Sequence, residues 1–183
     1  MNITSIQDPF FTIKESDKEF DYQPVLTNRL DKHSDEFDQS VINQIILWKV
    51  NRYADLPNEL IEKLNSIDPA NDILDVHITR EIIHDLLHVK GVRLAMASTI
   101  LRFRNPKIYQ IIDQRVFRVL YKKQFKVSTS VSKAKVDEQV NLYIQYLSDL
   151  RKACIQMNIN FEDVDRVLYN ADKRLNRRVK IKY

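Results

Sequence analysis

The chain has 183 residues, 44% hydrophobic and 30% charged, which makes one domain able to bury about two thirds of its unfolded surface without a disulfide staple. Its single Gly excludes the glycine-rich phosphate loop and the dinucleotide fingerprint and tells against β-hairpins, which need residues at positive φ. The lone Cys154 excludes a disulfide framework, a cysteine-rich zinc site and a protein-held iron–sulfur cluster, and the net charge of +4 divides as −6 over residues 1–70 and +10 over residues 71–183, which points to a polyanion partner.

Residues 1–33 are mixed, hold Pro9 and Pro24, and read as a loosely structured arm. Asp8, Glu15, Asp17, Glu19 and Asp21 interrupt any apolar run there, so a signal peptide is not expected and the location expected is cytoplasmic. No stretch approaches the ~18 apolar residues of a membrane span. Phe37, Val41, Ile42, Ile45, Trp48 and Arg52 predict a helix over Phe37–Tyr53. Pro57 suits the first position of a second helix, through Leu60, Ile61 and Leu64 to Ile67. Thr79 can cap a third, with Ile82, Ile83, Leu86 and Leu87 on its apolar face. The only Gly, Gly91, comes next, and another helix runs from Val92 to Phe103, where Asn105-Pro106 stops it. Ile108–Ile112 reads as extended, and Asp113 reads as the N-cap of a helix through Val116, Phe117, Leu120 and Tyr121. Ser128–Ser132 is a polar loop. A long helix over Val136–Met157 and a last one over Phe161–Leu175, capped by Asn160, complete an all-α chain. Its last eleven residues hold Lys173, Arg174, Arg177, Arg178, Lys180 and Lys182 and no acid, either a polyanion grip or a solvated tail.

The chemistry concentrates in residues 86–120. A helix, a turn at Val89-Lys90-Gly91-Val92-Arg93 and a second helix rich in small residues (Ala95, Ala97, Ser98) form a helix–hairpin–helix. The turn needs a residue without Cβ strain, and the sole Gly stands there. Free N–H groups at the second helix's start can hold a DNA phosphate, which positions a duplex without reading its sequence.

His88-Val89-Lys90-Gly91-Val92-Arg93, followed at the right distance by Ile111-Ile112-Asp113-Gln114-Arg115-Val116, resembles the helix–hairpin–helix superfamily of DNA base-excision glycosylases, the group of endonuclease III and the alkyl-base glycosylases. The likeness covers about residues 37–122. It implies two helical lobes with a cleft between them, one of residues 37–122 and one of 1–36 with 123–183, and double-stranded DNA as partner. It also implies that Asp113 is the catalytic carboxylate, stabilising the sugar cation as a flipped base departs and orienting the attacking water. The helix dipole is expected to keep Asp113 ionised. Where bifunctional members carry a Schiff-base lysine this chain has Ala95, so the expected enzyme is monofunctional, needing no cofactor or metal; Lys49 and Lys90 are the other amines to consider. Arg93 replaces the second hairpin glycine, and the cluster cysteines are absent.

Trp48, Lys49, Arg102, Arg104, Gln114 and Arg115 are candidates for base-pocket or DNA-backbone contacts, with Lys107 another basic residue nearby, although Trp48 and the Asp113 cap have plain structural readings too. His84 and His88 have the i, i+4 spacing of metal ligands but no third partner. Tyr143, Tyr146 and Tyr169 read as core or interface. The expected protein is a monomeric N-glycosylase; the alternative is a non-catalytic DNA-binding or partner-binding protein on the same scaffold. No local motif encodes which base is recognised.

Overall fold

The computed structural model describes residues 22–34, 36–50, 53–128 and 130–181, and every regular element among them is helical. The chain divides into two compact units, residues 1–53 and 54–183. Arg52 and most of the N-terminal arm lie outside the described residues. No described helix is long and apolar enough to cross a membrane.

In the first unit, α1 (Pro24–Asp31) forms where the sequence suggested only an arm, with Pro24 at its first position, where the missing N–H costs nothing. The second helix, α2 (Gln39–Lys49), is shorter than expected, because Asp38 accepts the Val41 N–H and caps it. Trp48 packs here. Its ring meets Tyr22 edge to face at 5.2 Å, and its indole N–H donates to Thr27 Oγ1 at 2.8 Å.

The second unit is built on α3 (Asn58–Asn65), α4 (Val76–His88), α5 (Leu94–Arg104), α6 (Gln114–Tyr121), α7 (Lys133–Met157) and α8 (Val164–Leu175). Helix α4 starts one turn before the expected Thr79, because Asp75 caps it by accepting the Ile78 N–H. Thr79 is buried instead, its hydroxyl against Asp75 O and the Tyr109 hydroxyl. Helix α7 begins at Lys133, three residues before Val136. Asn160 caps a single 3-10 turn, Phe161–Asp163, that leads into α8. One apolar core joins Leu60 and Leu64 of α3, Ile82, Ile83 and Leu86 of α4, Leu94, Ala97 and Leu101 of α5, Val116 of α6, Val140, Leu147 and Leu150 of α7, and Val164 and Leu168 of α8. Helix α4 packs on α3, α5 and α7, while α6 packs along α8.

Candidate functional site

The turn between α4 and α5 is closed by two backbone bonds, from Val89 N–H to Leu86 O and from Val92 N–H to Val89 O, both 3.1 Å. Gly91 sits at φ 87°, the left-handed region where a Cβ would cost about 1–2 kcal/mol. Val92 is buried and anchors the turn, leaving Lys90, Gly91 and Arg93 exposed. Arg93 stands at the N-cap of α5 with no side-chain cap, so the first N–H groups of the helix keep their donor capacity and partial positive charge. A cleft of about 220 Å³ opens against this turn, lined by His88, Lys90, Arg93, Ser128, Ser130 and Gln139 among others. A second, of about 300 Å³, shares His88, Val89 and Lys90 with it and adds Asp55, Glu59, Lys63 and Asp85.

Residues 106–108 form a turn, closed by the Tyr109 N–H to Asn105 O at 3.1 Å, where an extended run from Ile108 was expected, and Asp113 is delivered by the non-helical residues 109–112, whose backbone is pinned from three helices. The Tyr143 hydroxyl of α7 donates to Gln110 O at 2.9 Å, and that of Tyr146 donates to Ile111 O. Asp165 Oδ2 of α8 accepts the Ile111 N–H at 3.3 Å, and Ser98 Oγ of α5 accepts the Ile112 N–H at 3.1 Å. All four side chains are buried, so residues 110–112 gain from tertiary hydrogen bonds the rigidity that a sheet would otherwise supply. Asp113 then caps α6: its Oδ1 accepts from the Arg115 N–H at 2.8 Å and the Val116 N–H at 2.7 Å. Its Oδ2 makes no hydrogen bond among the described residues.

Burial pushes the Asp113 carboxyl above its ordinary range. The Val116 and Arg115 N–H groups and the Arg115 charge pull the other way, and Asp165 adds a smaller upward push. Desolvation therefore outweighs the capping N–H groups and the Arg115 charge.

The candidate arginines turn inward. Arg102 is buried, with Nε 3.6 Å from Asp165 Oδ2 and Nη2 donating to Glu162 O at 3.0 Å. Arg104 donates to Leu64 O and Asn65 O, carbonyls at the end of α3. Arg115 Nη1 is 3.0 Å from Asp172 Oδ2, and its guanidinium lies 5.4 Å from the Tyr169 ring centre. Gln114 donates to Phe125 O at 3.0 Å. Lys107 stays exposed, its Nζ 3.4 Å from Ala70 O. Lys90 and Arg93 belong to the turn itself, whereas Trp48 and Lys49 belong to the first unit. The His84 and His88 rings lie 4.5 Å apart, with His88 Nδ1 against His84 O, and no described group of three or more His, Cys, Asp or Glu could hold a metal ion.

Sequence reasoning missed Ser98 as a backbone anchor and passed over Asp165 and Asp172. The signal was present. On α8 the acids Asp165 and Asp172 share a face with Val164 and Leu168, and acids on the apolar face of a helix need buried cations. Asp172 finds them, with Arg118 gripping it through Nε at 2.9 Å and Nη2 at 2.7 Å, Arg115 from a second side, and Asn176 donating at 2.8 Å.

No protein-family model, no characterised protein sequence and no solved structure matches this chain.

Proposed function

We propose that the chain is a monofunctional DNA N-glycosylase of the helix–hairpin–helix kind, with residues 89–93 holding a phosphate and Asp113 as the catalytic carboxylate. The observation that supports this best is the way Asp113 is presented. One wholly buried side chain, Ser98, ties the helix that leaves the turn to the residue before Asp113, so a phosphate held at the turn and a sugar beside Asp113 would share one rigid frame.

The chemistry asked of Asp113 suits its surroundings. As the bond from C1′ to the base breaks, the electron pair leaves with the base and positive charge grows on the sugar. A water oxygen then bonds to C1′, and its proton passes to the Oδ2 that the α6 cap leaves free. A carboxyl whose proton affinity burial has raised is a stronger base for that step. Ala95, in the first turn of α5, supplies no amine for an imine, which is why water is the nucleophile.

A second reading, a non-catalytic DNA-binding protein, draws support from the two clefts, both of which lie against the 89–93 turn and neither of which includes Asp113. A base-release assay separates the two. Duplexes each carrying one damaged or mismatched base are incubated with wild type and Asp113→Asn, then treated with alkali to reveal abasic sites. Release that collapses in the variant supports the glycosylase. Binding without release across the panel leaves the non-catalytic reading, and strand breaks without alkali would reject water as the nucleophile.

A further inference from the structure

We propose that the exposed face of α8 and the segment after it, residues 166–180, form a second surface that grips the phosphate backbone of duplex DNA, separate from the 89–93 turn. This deepens the reading of the chain as a DNA-binding protein and rests on it. Residues 166–180 carry six cations, Arg166, Lys173, Arg174, Arg177, Arg178 and Lys180, all exposed. Their only acid, Asp172, has no exposed surface and lies between Arg115 and Arg118, so it offers no anion to the outer face.

A frayed basic tail binds poorly, because each phosphate contact must also order the chain. This segment is tied down. Asn176 donates to Asp172 through both its side chain and its N–H, at 2.8 Å each. Val179 N–H donates to Asn176 O at 2.9 Å, and Arg118 of α6 donates to Val179 O at 3.1 Å. The cations between these anchors are thus presented on a backbone already fixed to α6. Arg166, Lys173 and Arg174, at i, i+7 and i+8, share one face of α8, opposite the buried face of Val164, Leu168 and Asp172.

The surface continues along α6 toward its C-terminal end, the end away from Asp113. Helices α6 and α8 run in the same sense: Ile111 meets Asp165, Arg115 meets Asp172, and Arg118 meets Val179. Arg177, Arg178 and Lys180 therefore fall at the end of α6 where Lys122 and Lys123 are exposed. Four of the six cations are arginines, whose planar fork matches phosphate oxygens in pairs. A helix of this length spans roughly 18 Å, enough to meet several phosphates spaced ~3.4 Å per strand along a duplex axis.

The test is fluorescence anisotropy with a labelled, lesion-free DNA duplex over a salt series. It compares wild type, a neutralised variant (R174Q/R177Q/R178Q/K180Q), a charge-preserving variant (R174K/R177K/R178K) and a turn variant (K90Q/R93Q). Four lost phosphate contacts flatten the log–log salt slope by about 3.6, so wild type should lose about a hundredfold more affinity than the neutralised variant between roughly 50 and 200 mM salt. The charge-preserving variant should keep the wild-type slope, and thermal unfolding of all variants should match wild type. A neutralised variant with the wild-type slope, while the turn variant loses affinity, overturns this surface and leaves the DNA-binding reading standing. A wild-type chain that binds no duplex overturns both, whether or not it binds anionic phospholipid vesicles.

Discussion

Ser98 Oγ accepts the Ile112 N–H at 3.1 Å while donating its own proton to Ala95 O at 2.8 Å. One buried hydroxyl thus joins the helix that leaves the Gly91 turn to the residue before Asp113. Ser98→Ala removes the acceptor that buried N–H has among the described residues, and an unsatisfied buried donor costs about 1–3 kcal/mol. Urea unfolding should show a loss in that range, and hydrogen exchange should show the Ile112 amide opening faster than its neighbours. Unchanged stability with Ile112 still protected would mean that the hydroxyl does not hold the segment.

Gly91 makes a sharper local test. At φ 87° it occupies the one described left-handed position in the turn. Gly91→Ala should cost about 1–2 kcal/mol in chemical denaturation, because alanine meets its Cβ penalty there. It should also weaken duplex binding by more than its effect on stability explains, since the turn that presents Lys90 and Arg93 is distorted. An alanine variant of full stability would mean that the turn relaxes to a negative φ.

How much of this was readable beforehand divides along local and non-local lines. The α6 cap at Asp113 and the Gly91 turn were legible, because each depends on a residue type and its immediate neighbours. Helix α1 was not, since its eight residues, with a mean hydropathy pattern broken by Thr27, Asn28 and Arg29, carry too little periodicity to outweigh the polar flanks. The fates of Arg102 and Arg115 were hidden for a different reason. A guanidinium reads alike whether it faces solvent or a buried acid, and the acids concerned lie 57 residues from Arg115 and 63 from Arg102 along the chain. Only the third dimension pairs them.

Asp172 carries the pH dependence of the α6–α8 contact. Burial alone would push its carboxyl up, but hydrogen bonds from Arg118, Asn176 and Arg115 outweigh burial and hold it below the ordinary 3.8. A depressed folded value means that the stability it contributes is complete above about pH 4 and is lost as pH falls through the folded value. Asp172→Asn should cost about 3 kcal/mol at neutral pH, the low end for breaking a buried pair, because Arg115 is partly exposed. The difference between wild type and variant should narrow in unfolding experiments taken below pH 4. A constant difference across that range would assign the loss to packing and not to charge.

Asp113 behaves in the opposite sense. Burial raises its proton affinity above that of the unfolded chain, so its contribution to stability is greatest below 3.8 and is lost as pH rises through the raised value. Asparagine caps a helix as well as aspartate and has no charge to desolvate, so Asp113→Asn should be at least as stable as wild type at pH 7. Asp113→Ala leaves the Arg115 and Val116 N–H groups without their cap and should cost about 1 kcal/mol. Both variants should lose base release by at least about a hundredfold if the carboxylate takes the proton from water. Wild-type release should rise with pH through the raised value, as the ionised form accumulates. The pairing of a stable, silent Asn variant with a less stable, silent Ala variant separates chemistry from capping, whereas an Asn variant that still releases base would remove Asp113 from the reaction.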